Sequence, residues 1–163
     1  MRMTIQKGGF VSTIARLKDG AVEVLRPGSA AGVLLGGTLT QITASLGTPF
    51  AFAPAQAYVL FVDEIGERPY RIDRMWTQLR QAGLLDRAAA IVFNELPGCD
   101  ESTGAPAIRE VVGMLTRDFP GPVLFGLPSG HTTGPTLTVP FGVHVTVETG
   151  RTPGLIIEEA AVV

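Results

Sequence analysis

A chain of 163 residues is one ordinary domain, and at that length about 68–70% of the extended surface can be buried, enough for a real core. It is 45% apolar, only 17% charged and carries a formal net charge of −2; charge is scarcer than the ~25% usual for globular domains, as expected where part of the surface is covered by another chain or domain, and no Lys/Arg stripe marks a nucleic-acid partner. A single cysteine, Cys99, excludes an internal disulfide framework and fits a reducing compartment.

The first residues, Met1–Gly8, have no apolar signal core and no small-residue cleavage site. The longest apolar stretch, 51–62, is broken by Pro54 and Gln56 and is too short to span a bilayer. The expectation is a soluble, cytoplasmic chain with no membrane partner. Residues 1–20 are weakly patterned. Ala21 to Leu25 alternate, with Val22 and Val24 on one face, and predict a short strand ended by the turn Arg26-Pro27-Gly28.

The glycine-rich stretch 28–37 lacks the Gly-Lys-Ser/Thr ending of a phosphate loop and is read as close backbone packing. Thr38 is placed to cap a helix from about Leu39 to Leu46, closed by Gly47, with Leu39, Ile42 and Leu46 on one face. Ala57 to Val62 is a continuous apolar run, the pattern of a strand covered on both sides. Pro69 suits the first turn of a second helix, with an apolar stripe of Ile72, Met75, Trp76 and Leu79 and a C-cap at Gly83. Ala88 to Phe93 predicts a second buried strand. A polar loop over 97–104 follows, then a helix opened by Pro106 that carries Ile108, Val111, Val112 and Leu115. Val123 to Leu127 predicts a third buried strand. Beyond it, Thr136 to Val139, Val143 to Val147 and Leu155 to Ile157 are short, partly alternating runs with turn residues between them, the pattern of a β-meander. The whole predicts an α/β fold with a mostly parallel core sheet and a β-rich flank.

Two segments carry chemistry. The buried strand ending at Val62 runs into Asp63-Glu64-Ile65-Gly66-Glu67, and the strand ending at Leu127 runs into Pro128-Ser129-Gly130-His131. Ends of parallel strands are where α/β proteins place ligands. An acid and an imidazole there are two thirds of a hydrolytic triad. Small neighbours, Gly130 and Thr132-Thr133-Gly134, leave the ring accessible, and an imidazole suits a general base. The competing reading of Asp63, Glu64 and Glu67 is a solvated loop leading a helix, since acids favour helix N-termini. His131 could equally be an ordinary loop histidine.

No convincing nucleophile accompanies them. Pro128-Ser129-Gly130 is not the strand-to-helix elbow a catalytic serine needs, and loop neighbours rarely satisfy nucleophile–base geometry. Cys99 lies beside Asp100 and Glu101, and neighbouring carboxylates oppose a reactive thiolate. His144 alternates with valines and is read as an exposed strand residue. Two histidines and one cysteine, widely spaced, give no metal signature, and no cofactor motif is present.

Four ordered blocks carry a resemblance: Gly36-Gly37-Thr38-Leu39-Thr40 with Leu46-Gly47-Thr48-Pro49; Leu60 through Arg74; Pro122 through His131; and Leu137-Thr138-Val139-Pro140-Phe141-Gly142. Together, over roughly 25–147, they resemble the C-terminal domain of the LD-carboxypeptidases. These are serine peptidases that cut the amide between an L-centre and a D-amino acid in murein peptides. Relatives confer immunity to the peptide–nucleotide antibiotic microcin C7. The resemblance implies a swivelling β/β/α-type domain bearing the triad acid and histidine, and a separate flavodoxin-like N-terminal domain bearing the serine and the oxyanion hole. It implies a murein peptide or peptide-like substrate and a homodimer, with no cofactor.

Carried over residue by residue, His131 matches the triad histidine and Asp63 the acid. The family's usual Glu-Asp order is Asp63-Glu64 here, which leaves Glu64 as the other candidate acid, and Thr38 stands where an Asn is common. The chain begins where the C-terminal domain begins, so 1–163 is expected to be a single domain without its nucleophile domain. It would then be silent alone: a fragment, half of a split enzyme, or a non-enzymatic module that binds a peptide or partner.

Overall fold

A computed structural model describes residues 13–15 (main chain only), 22–103 and 105–160. Its strands are β1 (Thr13–Ala15), β2 (Glu23–Arg26), β3 (Ser29–Thr38), β4 (Tyr58–Asp63), β5 (Ala88–Asn94), β6 (Val123–Leu127), β7 (His144–Glu148) and β8 (Gly154–Ile157). Its helices are α1 (Leu39–Ser45), α2 (Pro69–Gln81) and α3 (Ile108–Leu115), with a 3₁₀ turn at Leu84–Arg87. The strands form one sheet in the order β1-β8-β7-β3-β4-β5-β6-β2. The four central strands, β3 to β6, are parallel, and the outer strands join antiparallel. This is the mixed α/β fold with a parallel core and a β-rich flank that the sequence predicts.

Strand alternation builds two layers of core. In β4 every residue is buried. Tyr58, Leu60 and Val62 face one way, against Ile72, Trp76 and Leu79 of α2 and Val112 of α3. Val59 and Phe61 face the other way, toward Val145 and Val147 of β7 and Leu155 of β8. Period-2 alternation thus feeds a helical layer and a β layer from the same strand. Trp76 packs its ring 5.4 Å from that of Phe93 and donates its indole N–H to the Leu115 carbonyl at 3.2 Å. A large aromatic is thereby buried with its one polar atom satisfied.

The glycine-rich stretch is closely packed backbone, as the sequence predicts, but it is also a strand that the sequence does not predict. It is the ten-residue strand β3, the seam that joins the parallel core to the antiparallel flank. Close packing is the reason it is rich in glycine. Gly36 has φ +149°, and a Cβ there would sit 1.9 Å from the Phe61 carbonyl oxygen on β4. A second correction concerns 136–139, which forms no strand. That segment belongs to the loop from β6 to β7, where Leu137 and Val139 pack against the β layer and the Leu137 N–H bonds the Pro128 carbonyl at 2.7 Å. Burial of alternate residues on a sheet face mimics a strand pattern without strand pairing. The flank is therefore the β7–β8 hairpin with β1 at its edge. Smaller shifts are that β2 covers Glu23–Arg26 and α3 starts two residues after Pro106.

Register sets up the site. Thr38 pairs with Asp63 across β3 and β4, Val62 pairs with Phe93, and Asn94 pairs with Leu127. The C-terminal ends of the four parallel strands are level. Everything that follows them, including His131 four residues past Leu127, is delivered to one edge of the sheet.

Candidate active site

Asp63 and His131 meet at that edge. The Asp63 carboxylate is buried, and its Oδ2 lies 2.7 Å from His131 Nδ1. Its Oδ1 accepts the His131 main-chain N–H at 3.0 Å. Both carboxylate oxygens thus bind the same residue, which fixes ring and backbone together. The imidazole is 45% exposed, and its Nε2 has no hydrogen-bond partner among the described residues. A hydrogen bond from Nδ1 to a carboxylate selects the tautomer that carries its proton there and leaves Nε2 as an acceptor. That is the arrangement of a base oriented by an acid.

Glu64 does something else. It continues the β4 alternation toward the helical layer and is 3% exposed. Its Oε2 accepts the Thr40 N–H at 2.9 Å and the Thr40 hydroxyl at 2.7 Å, and its Oε1 accepts the Ile65 N–H at 3.1 Å. Thr40 stands in the first turn of α1, whose N-cap residue, Thr38, makes no side-chain cap bond. Glu64 supplies that cap from another element, satisfying an N–H that α1 would otherwise leave unpaired. Its hydrogen bonds go to Thr40 and Ile65, not to the imidazole. The acidic turn is therefore not a set of solvated acids: Glu67 pairs with Arg71 at 3.3 Å one helical turn on, and Asp63 and Glu64 are buried and bonded.

Sequence reading missed two residues at the end of β5. Asn94 is fully buried. Its Nδ2 donates to Asp63 Oδ1 and, at 2.7 Å, to the His131 carbonyl. Glu95 accepts the Thr132 hydroxyl at 2.6 Å and the Thr133 N–H at 3.0 Å. These bonds, that from Thr132 foremost, hold the Glu95 carboxyl below its ordinary 4.5. A lone Asn-Glu at a strand end gives no sequence signal beyond a turn. The only available clue was its position after a fully apolar run.

Among the described residues none of the other candidates hydrogen-bonds the ring. Ser129 is buried, at 3% exposure, and its main-chain N–H bonds the Leu127 carbonyl at 2.8 Å. Cys99, placed by sequence in a polar loop, is buried. Burial comes first in pushing its thiol above the ordinary 9.0, and the Glu64 and Asp100 carboxylates add to the rise. His144 is exposed on β7. Among the described residues no group of three or more His, Cys, Asp or Glu is placed to hold a metal, and no helix is long and apolar enough to cross a membrane.

Comparison with known proteins agrees with this architecture. The sequence profile of the LD-carboxypeptidase C-terminal domain matches residues 31–147. The Bacillus subtilis protein named "Probable murein peptide carboxypeptidase" is 35% identical over 139 residues, 81% of this chain and 41% of that protein. The crystal structure of muramoyltetrapeptide carboxypeptidase from Oxalobacter formigenes superposes with a TM-score of 0.73 at 28% identity, over 86% of this chain and 50% of that one. MccF in complex with glutamyl sulfamoyl guanosine superposes with a TM-score of 0.76 at 20% identity, over 98% of this chain and 45% of that one, a likeness of fold alone. The chain spans about half or less of the length of each of these proteins. With most of its length, 31–147, inside the profile, it belongs to the LD-carboxypeptidase C-terminal domain family.

Proposed function

We propose that this chain is the acid–histidine half of a serine-type carboxypeptidase acting on the amide between an L-centre and a D-amino acid in murein peptides. His131 is the general base and Asp63 its orienting acid. The serine comes from another domain or chain docked over the exposed ring edge. The observation that supports this most is the two-point contact of Asp63 with His131, which leaves Nε2 without a hydrogen-bond partner among the described residues on a ring that is about half exposed.

In this reading the proton of the incoming serine hydroxyl passes to Nε2 as its oxygen attacks the scissile carbonyl. Asp63 stabilises the resulting imidazolium and stays ionised. The imidazolium returns the proton to the leaving amine, giving an acyl-enzyme and the free D-amino acid. Water then attacks the ester, with His131 again the base, and releases the shortened peptide and the serine. The names of the relatives, a murein peptide carboxypeptidase and a murein tetrapeptide carboxypeptidase among them, support the substrate class.

The test is hydrolysis of an L,D-tetrapeptide with a terminal D-Ala. The chain alone is expected to give no turnover above buffer. The chain mixed with the serine-bearing domain of a relative is expected to release D-Ala, and His131→Ala to abolish it. Turnover by the chain alone that disappears in Ser129→Ala would overturn the reading. A mixture that binds the peptide without cutting it would favour a binding module.

A further inference from the structure

We propose that Asn94 is the positioning residue of the His131 imidazole, acting through the Asp63 carboxylate and the His131 main chain. This rests on the reading of His131 as general base and adds a residue to its machinery.

The amide is used completely and in one orientation only. Its Oδ1 accepts the Leu96 N–H at 2.9 Å. A main-chain N–H can only donate, so the oxygen must face Leu96 and the nitrogen must face the other side. On that side stand two acceptors, Asp63 Oδ1 and the His131 carbonyl, and an amide nitrogen has one hydrogen for each. Asn94 therefore ties β4 and the β6–β7 loop to one point at the end of β5.

The consequence falls on Asp63. Its Oδ1 receives the Asn94 amide and the His131 N–H, which leaves Oδ2 for the ring. A carboxylate held at one oxygen by two donors cannot turn about its own axis, and the imidazole it bonds cannot turn either. Asp63 is the last residue of β4 and its side chain is short, so the histidine residue itself must come to the strand end. The bond from Asn94 to the His131 carbonyl holds it there. Leu96 adopts φ +48°, a left-handed backbone uncommon for a branched side chain, and the Asn94 side chain bonds its N–H. Strain that surrounding contacts over-determine is a feature of functional sites.

A buried asparagine that merely satisfied itself would affect stability and nothing else. The two roles separate in the tautomer of the ring. Ring nitrogen resonances of the 15N-labelled chain are recorded at a pH where the imidazole is neutral. His144, the other histidine and exposed on β7, serves as the internal reference. In the unchanged chain His131 is expected to carry its proton on Nδ1. In Asn94→Ala the Nδ1 resonance is expected to move into the unprotonated range as the Nε2–H tautomer becomes the majority, with His144 unmoved. Asn94→Ser cannot reach both acceptors and is expected to move the same way by less, which provides the reading if the alanine variant does not fold. A folded variant in which His131 keeps its proton on Nδ1 as in the unchanged chain would overturn the proposal, as would an unchanged chain lacking the Nδ1–H form. The measurement needs no substrate or serine, so a failed hydrolysis assay counts against the proposed function and leaves this result standing.

Discussion

Gly130 and Asp63 touch with no room for a methyl group between them. A Cβ on Gly130 would lie 2.7 Å from the Asp63 Cγ, and Gly130 has φ +73°. The backbone turns left-handed one residue before His131, and the carboxylate that binds the ring fills the space a side chain would need.

Gly130→Ala should therefore fail twice, through backbone strain and through the displaced carboxylate. Asp63 is held by Asn94 and by two groups of His131, so it cannot move aside freely. The expected cost is about 1–3 kcal/mol of folding stability, read from urea melts. In a reconstituted enzyme turnover should fall more than the melt alone explains.

Asp63 and Glu64 should separate cleanly. Asp63→Asn in a reconstituted two-domain enzyme should lower turnover by a factor on the order of 10⁴, as the same change does in the well-studied Ser-His-Asp triad. Glu64→Ala removes the cap on α1 and three accepted hydrogen bonds, so about 1–3 kcal/mol of stability should go while the ring geometry stays. The reverse ranking of turnover would assign Glu64 as the triad acid.

His131→Ala tests whether the ring also matters to the fold. The side chain is about half exposed, but Asp63 beneath it is buried. Removing the ring leaves Oδ2 without its donor, although water can enter from the open side. About 1 kcal/mol is expected, measured by thermal or urea melts. A loss of several kcal/mol would mark His131 as a structural residue.

Acid should loosen the loop through Glu95. Its pKa is lowered in the folded chain by Thr132 and Thr133, so its contribution is fully present above the ordinary 4.5 and is lost as pH falls from there through the lowered folded value. Stability measured over that range should decline less steeply in Glu95→Gln than in the unchanged chain. Identical slopes would show that the Thr132 and Thr133 bonds carry no linkage.

Cys99 should be unreactive in the folded chain at neutral pH. It is buried and its thiol is pushed up by burial, so little thiolate is present or accessible. A thiol reagent should label it at the rate of unfolding and rapidly in denaturant. Fast labelling of native protein would show that the 96–101 loop opens on its own.

The sequence by itself determined the three buried parallel strands after β3 and the helices α1, α2 and α3, and it singled out Asp63 and His131 as a candidate pair. Those elements rest on local rules: unbroken apolar runs, a stripe at helical spacing, proline at a helix start. It also contained a parity that needed the fold to interpret. Neighbouring residues on a strand point to opposite faces, so Asp63 and Glu64 had to serve different sides. Only the packing of α1 against one face and the β6–β7 loop at the other decided that Glu64 would cap a helix and Asp63 would bind the histidine. The glycines of β3 hid a central strand for the same reason. Glycine has a poor strand propensity, and the Phe61 backbone that requires Gly36 is distant in sequence. Asn94 was beyond reach altogether, because its three hydrogen bonds have meaning only once register places β4, β5 and the loop after β6 at one level.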